Sequence, residues 1–333
     1  MSEVLAARRR WRVAALVVAV SSLIAPGVIA VSPSAADVPT VRPLGGNVWE
    51  MVVHSAAMSR DIPLHVIRPR HDPAGAPTLY LLNGAGGGED GANWLDQTDL
   101  AEFFADKHVN VVIPKRGIGS YYTDWIGRDP KIGRPRWQTF LTQELPAVVD
   151  TALNTNGRNA IAGLSMSATS VFNLAIAAPG LYRAVASYSG CARTSTPEGQ
   201  AAVRAIVHTA AGANADHMWG PPGAVAWTAN DPYLNAARLR GVALYISSGS
   251  GRAGVYDTPR HQAPGAPSVE NQIVVGGALE AAARHCTEDM ARRLSGLGIP
   301  AVVHLPATGT HSWRYWEDEL HRSWSVLSTG LSR

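Results

Sequence analysis

The sequence predicts an α/β protein built on a doubly wound, mainly parallel sheet with helices on both faces. Three observations carry this expectation. Short continuous apolar runs at Thr78–Leu82, residues 109–114 and Ile161-Ala162 have the composition of strands buried on both sides. Segments with apolar residues at helical spacing separate them, as at Phe140, Leu141, Leu145, Val148 and Val149. The two kinds of segment alternate along most of the chain, which favours parallel strands joined by crossover helices.

The N-terminus stands apart from that pattern. Arg8, Arg9, Arg10 and Arg12 precede an apolar run over 13–25, then Pro26-Gly27 and a small-residue stretch at Ser34-Ala35-Ala36. This is the layout of a cleaved signal peptide over residues 1–36. Ser21, Ser22, Pro26 and Gly27 interrupt the run before it could span a bilayer, so no stable membrane anchor is expected after cleavage. Adjacent arginines leave the general and twin-arginine routes both open. Residues 37–333 contain no low-complexity linker or internal repeat and are read as one domain. A formal charge of +3, raised by the leader's arginines, gives no basic stripe for nucleic acid.

In order, residues 47–70 alternate as a pair of antiparallel strands at a sheet edge. Thr78–Leu82 is a central strand that runs into Asn83-Gly84-Ala85-Gly86-Gly87-Gly88. Such a loop could cradle phosphate, but it lacks both a G-K-[ST] ending and a G-x-G-x-x-G opening. Its position, after an early strand and upstream of a serine turn, fits an oxyanion-hole loop instead. Residues 109–114 form the next strand, and the loop over 115–128 offers Tyr121, Tyr122 and Trp125 either as site walls or as its own packing. Residues 137–153 read as a helix kinked at Pro146. Beyond the serine turn come a strand at Tyr182–Tyr188, a looser region over 194–235, a strand over 242–248, a helix over 271–297, a last strand over 301–305 and a closing amphipathic helix.

The serine turn is Asn159-Ala160-Ile161-Ala162-Gly163-Leu164-Ser165-Met166-Ser167-Ala168. A buried strand, a serine between small residues and an apolar helix make the strand-turn-helix of a nucleophile elbow, the hallmark of an α/β-hydrolase. Gly163 and Ser167 flank Ser165, with Ser167 replacing the usual glycine. A serine hydroxyl needs a base, placed in this fold on the loop after the last strand, and His311 lies there. His54, His71 and His261 have no such placement. The orienting carboxylate must fall between the two, and the residues alone leave Asp257 and Glu280 open. No H-E-x-x-H motif or cysteine-histidine cluster points to a metal, and no cofactor is expected.

Taken together, Leu81-Leu82-Asn83-Gly84, Thr123-Asp124-Trp125, Trp137-Gln138-Thr139-Phe140-Leu141-Thr142, Gly163-Leu164-Ser165-Met166-Ser167, Met218-Trp219-Gly220-Pro221, Asn230-Asp231-Pro232 and Gly309-Thr310-His311-Ser312-Trp313 with Trp316 occur in an informative order. In this series the chain resembles the mycolyltransferases of the antigen 85 complex and their corynebacterial and nocardial relatives, within the esterase D-like α/β-hydrolases. The resemblance implies Ser165 as nucleophile, His311 as base and Glu280 as acid. It implies an oxyanion hole from the backbone N–H groups of Met166 and Ala85. Asn83, Gly86, Trp94 and Trp313 are then the candidate substrate contacts, with Trp313 a pocket wall beside the base. The family's Asp-Gly-Leu-Arg run is Asn83-Gly84-Ala85-Gly86 here, so its sugar-contacting arginine is absent. The implied activity is acyl transfer from trehalose monomycolate to a second trehalose mycolate or to cell-wall arabinogalactan. A carboxylesterase using water, or a catalytically silent cell-wall binding protein, are the rival readings.

Two cysteines, Cys191 and Cys286, complete the inventory. In an exported chain an even pair reads as a disulfide, against the alternative of two buried free thiols. Cys286 lies less than two helical turns beyond Glu280.

Overall fold

The computed structural model describes residues 39–262 and 268–333. The expected signal peptide, residues 1–36, lies outside them. Nine strands of the described residues form a single sheet: β1 (Thr40–Gly45), β2 (Val48–Ser55), β3 (Arg60–Ile67), β4 (Thr78–Leu82), β5 (Asn110–Pro114), β6 (Asn159–Leu164), β7 (Tyr182–Tyr188), β8 (Ala243–Ser247) and β9 (Val302–His304). Their order is β1-β2-β3-β5-β4-β6-β7-β8-β9. Pairing is antiparallel from β1 to β5 and parallel from β5 to β9. The expected antiparallel pair is the β2–β3 hairpin, in register from Val48↔Ile67 to Ser55↔Arg60, but the edge of the sheet is β1, which lies outside it. Strand β1 was not anticipated, because every one of its residues is exposed and so leaves no burial pattern to read.

The central strands are buried throughout, and their period of two sorts them onto two faces. Tyr80, Leu82, Val112, Ile161, Val185 and Ile246 face one layer. That layer holds α1 (Leu145–Leu153), α2 (Met166–Ala177) and α4 (Gly277–Gly296), with α3 (Pro197–Ala211) packed on through Val203 and Val207. Leu79, Leu81, Ala160, Ala162, Ala184 and Ala186 face the other, which α5 (Trp313–Ser332) covers with Leu320, Leu327 and Leu331. Small alanines on that side let the long helix lie close to the strands.

Three expectations are refined. The helix over 137–153 is not kinked at Pro146. A π turn at Phe140–Glu144 precedes α1, and Pro146 sits in the first turn of α1, where a missing N–H removes no helix bond. The helix over 271–297 likewise opens with a π turn, Gln272–Gly276, before α4. The region over 194–235 is helical rather than loose. Caps delimit its helices: Thr196 accepts from the Gly199 N–H, Gly212 ends α3 in the left-handed conformation, and Asp231 accepts from the Leu234 N–H.

Candidate active site

Strand β6 ends at Leu164, α2 begins at Met166, and Ser165 between them has φ 55° and ψ −119°. Positive φ at a serine is strained, and it is held here by neighbours on both sides. The Ser165 N–H donates to the Tyr188 carbonyl at 2.9 Å. A Cβ on Gly163 would meet Ser167 Oγ at 2.5 Å, so with serine at 167 only glycine fits at 163. The fully buried Ser167 hydroxyl accepts from the Leu164 N–H at 3.0 Å and lies 3.1 Å from the Leu82 carbonyl. The departure from glycine thus adds a polar tie between the elbow and β4.

His311 brings its Nε2 to 2.9 Å from Ser165 Oγ and its Nδ1 to 2.7 Å from Glu280 Oε2. The other carboxylate oxygen of Glu280 accepts from Ser189 Oγ at 2.7 Å, Ser248 Oγ at 2.8 Å and the Gly249 N–H at 2.6 Å. Glu280 is 1% exposed, and every neighbour of that oxygen is a donor. An acceptor facing Nδ1 places the imidazole proton there and leaves Nε2 to accept from the serine hydroxyl. Asp257, the other candidate acid, does not reach the imidazole. Its carboxylate accepts from Thr310, Gln272, Gly254 and Tyr315 instead.

Register brings the Gly-rich loop to the serine, because Leu82 pairs with Gly163. A Cβ on Gly84 would lie 2.8 Å from Leu164 Cδ1 and 3.7 Å from Ser165 Cβ. Ala85 follows Gly84, and Met166 is the first residue of α2, whose N–H has no acceptor within the helix. Gly87, at φ 65°, lets the loop press onto residues 117 and 118, where a Cβ would come within 2.1 Å of the Ile118 nitrogen.

Two expected substrate contacts are placed differently. Asn83 is fully buried, donating to the Pro114 carbonyl at 3.2 Å and accepting from the Trp94 N–H at 3.2 Å. Trp94 is also fully buried, with its indole N–H on the Leu82 carbonyl at 2.9 Å. Both shape the loop from beneath, since the first polar residue after a buried strand is spent on the backbone around it. Gly86 is half-buried, with the Asp90 carboxylate where a side chain would project. Trp313 does line a cavity of about 690 Å³, together with His311, Gln272, Val275, Leu279 and Gln97. Edge-to-face contacts run from Trp94 to Trp313, Trp316 and the His311 ring, at 5.5, 5.3 and 4.8 Å between centroids. The loop aromatics Tyr121, Tyr122 and Trp125 are buried core, not site walls.

Sequence reading missed Ser189 and Ser248, which hold Glu280, and the Trp316 indole that donates to Ser189 Oγ at 2.9 Å. A signal existed. Each serine directly follows the last residue of a buried parallel strand, β7 or β8, at the edge where such sheets place their sites. Cys191 and Cys286 form the expected disulfide, joining the segment after β7 to α4.

Residues 55–324 match the Esterase family. The chain is 31% identical over 329 residues to the diacylglycerol acyltransferase/mycolyltransferase Ag85B of Mycobacterium avium, covering 94% of this chain and 92% of that one. Against Ag85A of Mycobacterium leprae it is 31% identical over 325 residues, covering 94% and 91%. Among solved structures, Mycobacterium tuberculosis MPT51 (FbpC1) superposes with a TM-score of 0.71 at 23% identity, over 86% of this chain and 100% of that one. An S-formylglutathione hydrolase from Agrobacterium tumefaciens gives 0.59 at 14% identity, over 88% and 99%. These two likenesses speak to fold, which is the α/β-hydrolase fold. The family match and the near full-length relatives speak to descent: the chain belongs to the esterase family and, within it, to the Ag85 acyltransferase/mycolyltransferase group.

Proposed function

We propose that the protein is an exported serine acyltransferase that moves a mycolyl group from trehalose monomycolate to a second trehalose monomycolate or to cell-wall arabinogalactan. The observation that carries the reading is the unbroken hydrogen-bonded line from Ser165 Oγ through His311 to Glu280, at 2.9 and 2.7 Å. In the first step Ser165 Oγ attacks the ester carbonyl while His311 Nε2 takes its proton. The oxyanion is met by the N–H groups of Met166 and Ala85, each such donor contributing about 3 to 4 kcal/mol to the transition state. Collapse breaks the ester bond, and the leaving trehalose oxygen takes the proton back from His311. In the second step an acceptor hydroxyl gives its proton to His311, attacks the acyl-enzyme and frees Ser165 Oγ, which is reprotonated. Trp313 walls the cavity beside the base, and relatives named for acyl and mycolyl transfer support the substrate class.

The leader over residues 1–36 supports export to the cell envelope, where such substrates lie. Among the described residues no helix is long and apolar enough to cross a membrane. A carboxylesterase reading, with water as acceptor, is favoured by the esterase family match. One experiment separates the two. The mature protein is incubated with trehalose monomycolate, and dimycolate formation is compared with release of free mycolic acid. Dimycolate as main product supports the transferase, and free acid alone overturns it in favour of the esterase.

A further inference from the structure

Asp257 left the competition for the acid, yet its surroundings are not those of an ordinary loop carboxylate. It is 7% exposed and accepts four hydrogen bonds. Oδ1 takes the Thr310 hydroxyl at 2.6 Å and the Gln272 amide at 2.6 Å. Oδ2 takes the Gly254 N–H at 2.7 Å and the Tyr315 hydroxyl at 2.7 Å. Thr310 directly precedes His311, Gln272 opens the π turn that leads into the helix of Glu280, and Tyr315 is in the first turn of α5. One carboxylate therefore ties together the segment before the acid, the segment of the base and the helix after the base.

We propose that Asp257 is a positioning residue for acyl transfer: through Thr310 and Gln272 it fixes the His311 loop against the start of the Glu280 helix, so that the imidazole meets Ser165 and Glu280 together. The inference rests on His311 acting as the base toward Ser165. The backbone of His311 has one further anchor, its N–H to the Gly276 carbonyl at 3.2 Å. With Asp257 removed, the Thr310 hydroxyl keeps only a long contact to Ser312 Oγ at 3.4 Å, and the Gln272 side chain loses the partner that holds it at the cavity wall. Burial works to raise the Asp257 pKa, but the bonds from Thr310, Gln272, Gly254 and Tyr315 outweigh it and hold the carboxyl below its ordinary value. The clamp is accordingly charged at neutral pH.

A displacement near one ångström at a reacting group costs on the order of 100-fold in rate, so loss of the clamp is expected to slow the chemistry rather than weaken binding. The test uses a fluorophosphonate probe, which forms a bond from Ser165 Oγ to phosphorus with loss of fluoride and needs the same base but no acyl acceptor. Labelling rates are measured against probe concentration for the wild type and for Asp257→Ala, Asp257→Asn and Thr310→Val. Asp257→Ala should lower the limiting rate roughly 10- to 100-fold with half-saturation unchanged. Asp257→Asn should recover part of the loss, because its amide oxygen still accepts on one side. Thr310→Val, which deletes only the hydroxyl beside the base, should slow labelling while melting at the wild-type temperature, and it carries the test if Asp257→Ala fails to fold. In a Glu280→Gln background Asp257→Ala should add little, since both act through one imidazole. Wild-type rates in folded Asp257→Ala or Thr310→Val, or losses that multiply in the double variant, overturn the proposal. Labelling that persists in Ser165→Ala overturns instead the nucleophile reading beneath it.

Discussion

One continuous helical segment grips His311 at two points: Glu280 Oε2 on α4 meets the ring at Nδ1, 2.7 Å away, and the carbonyl of Gly276, the last residue of the π turn that leads into α4, receives the His311 backbone N–H at 3.2 Å. Residues 31 apart in sequence thus share one rigid support. The ring cannot turn without breaking a bond to that helix.

Glu280→Gln tests what the carboxylate does. A glutamine must turn its amide nitrogen either to Nδ1 or to Ser189, Ser248 and Gly249, and the Gly249 N–H cannot reverse its role. Either the imidazole tautomer or the support behind it is lost, along with the negative charge facing the imidazolium. Turnover should fall roughly 10³- to 10⁴-fold. Steady-state kinetics on a folded sample decide it, and a loss under tenfold would remove Glu280 from the role of acid.

Ser165→Ala deletes the attacking oxygen and nothing that holds the elbow, since the turn is fixed by the Ser165 N–H and by Ser167. Acyl transfer should disappear while the melting temperature stays near wild type. Activity within a few-fold of the parent would exclude Ser165 as nucleophile.

How far the sequence was legible follows from the reach of each interaction. Strands β4 to β8 and the elbow could be read because burial on both faces imposes a local composition. His311 could be read because its position after the last strand is a property of chain order. Residue types and order alone left Asp257 and Glu280 open, since both are buried acids on the right side of the chain; the resemblance preferred Glu280, and it is Glu280 that the fold brings to the His311 ring. Asn83 illustrates the opposite outcome. The resemblance implied a substrate contact at this position, and full burial commits the amide to Pro114 and Trp94. Strand β1, exposed at every residue, left no hydrophobic pattern at all.

Acid should destabilise the fold through three carboxylates. In Asp129 and Asp257 burial works to raise the pKa, but hydrogen bonds, led by the Asn214 N–H and the Thr310 hydroxyl respectively, outweigh it and leave the value lowered. In Asp289 burial is likewise outweighed, first by the bond from Arg193 at 2.6 Å. A carboxyl whose folded value lies below its unfolded value, near about 4, stabilises the fold fully above that value. The contribution is lost as pH falls through the depressed folded values. Melting temperature should therefore be flat between about pH 5 and 7 and drop on further acidification. A midpoint unchanged well below the ordinary carboxyl range would contradict the assignment.

Ser167→Ala should destabilise the elbow itself. The hydroxyl is the acceptor for the buried Leu164 N–H, and its loss leaves that donor without it at a cost of about 1 to 3 kcal/mol. Alanine still fits opposite Gly163, so the change is electronic rather than steric. Chemical denaturation should show the loss in midpoint at constant slope. An unchanged midpoint would mean that the Leu164 N–H finds another partner.

Reduction of the Cys191–Cys286 bond should lower stability and turnover together. The bond closes a separation of 95 residues, for which chain entropy gives about 4 to 5 kcal/mol, or roughly 10 °C in melting temperature. Its place links that loss to the chemistry. Cys191 follows Ser189 and Gly190 in the segment that donates to Glu280, and its own carbonyl accepts from Thr169 on α2, just beyond the nucleophile. Cys286 lies on α4, and the next residue, Thr287, reaches the Gly190 carbonyl at 3.4 Å. Freed of the bond, α4 can shift relative to α2, which moves Glu280 relative to Ser165. The measurement is turnover and melting of the native protein beside the Cys191→Ser/Cys286→Ser double variant, with the native digest checked by mass spectrometry for the linked peptide pair. A variant that melts lower but turns over at the wild-type rate well below its melting point would show that the bond steadies the fold without helping to place Glu280.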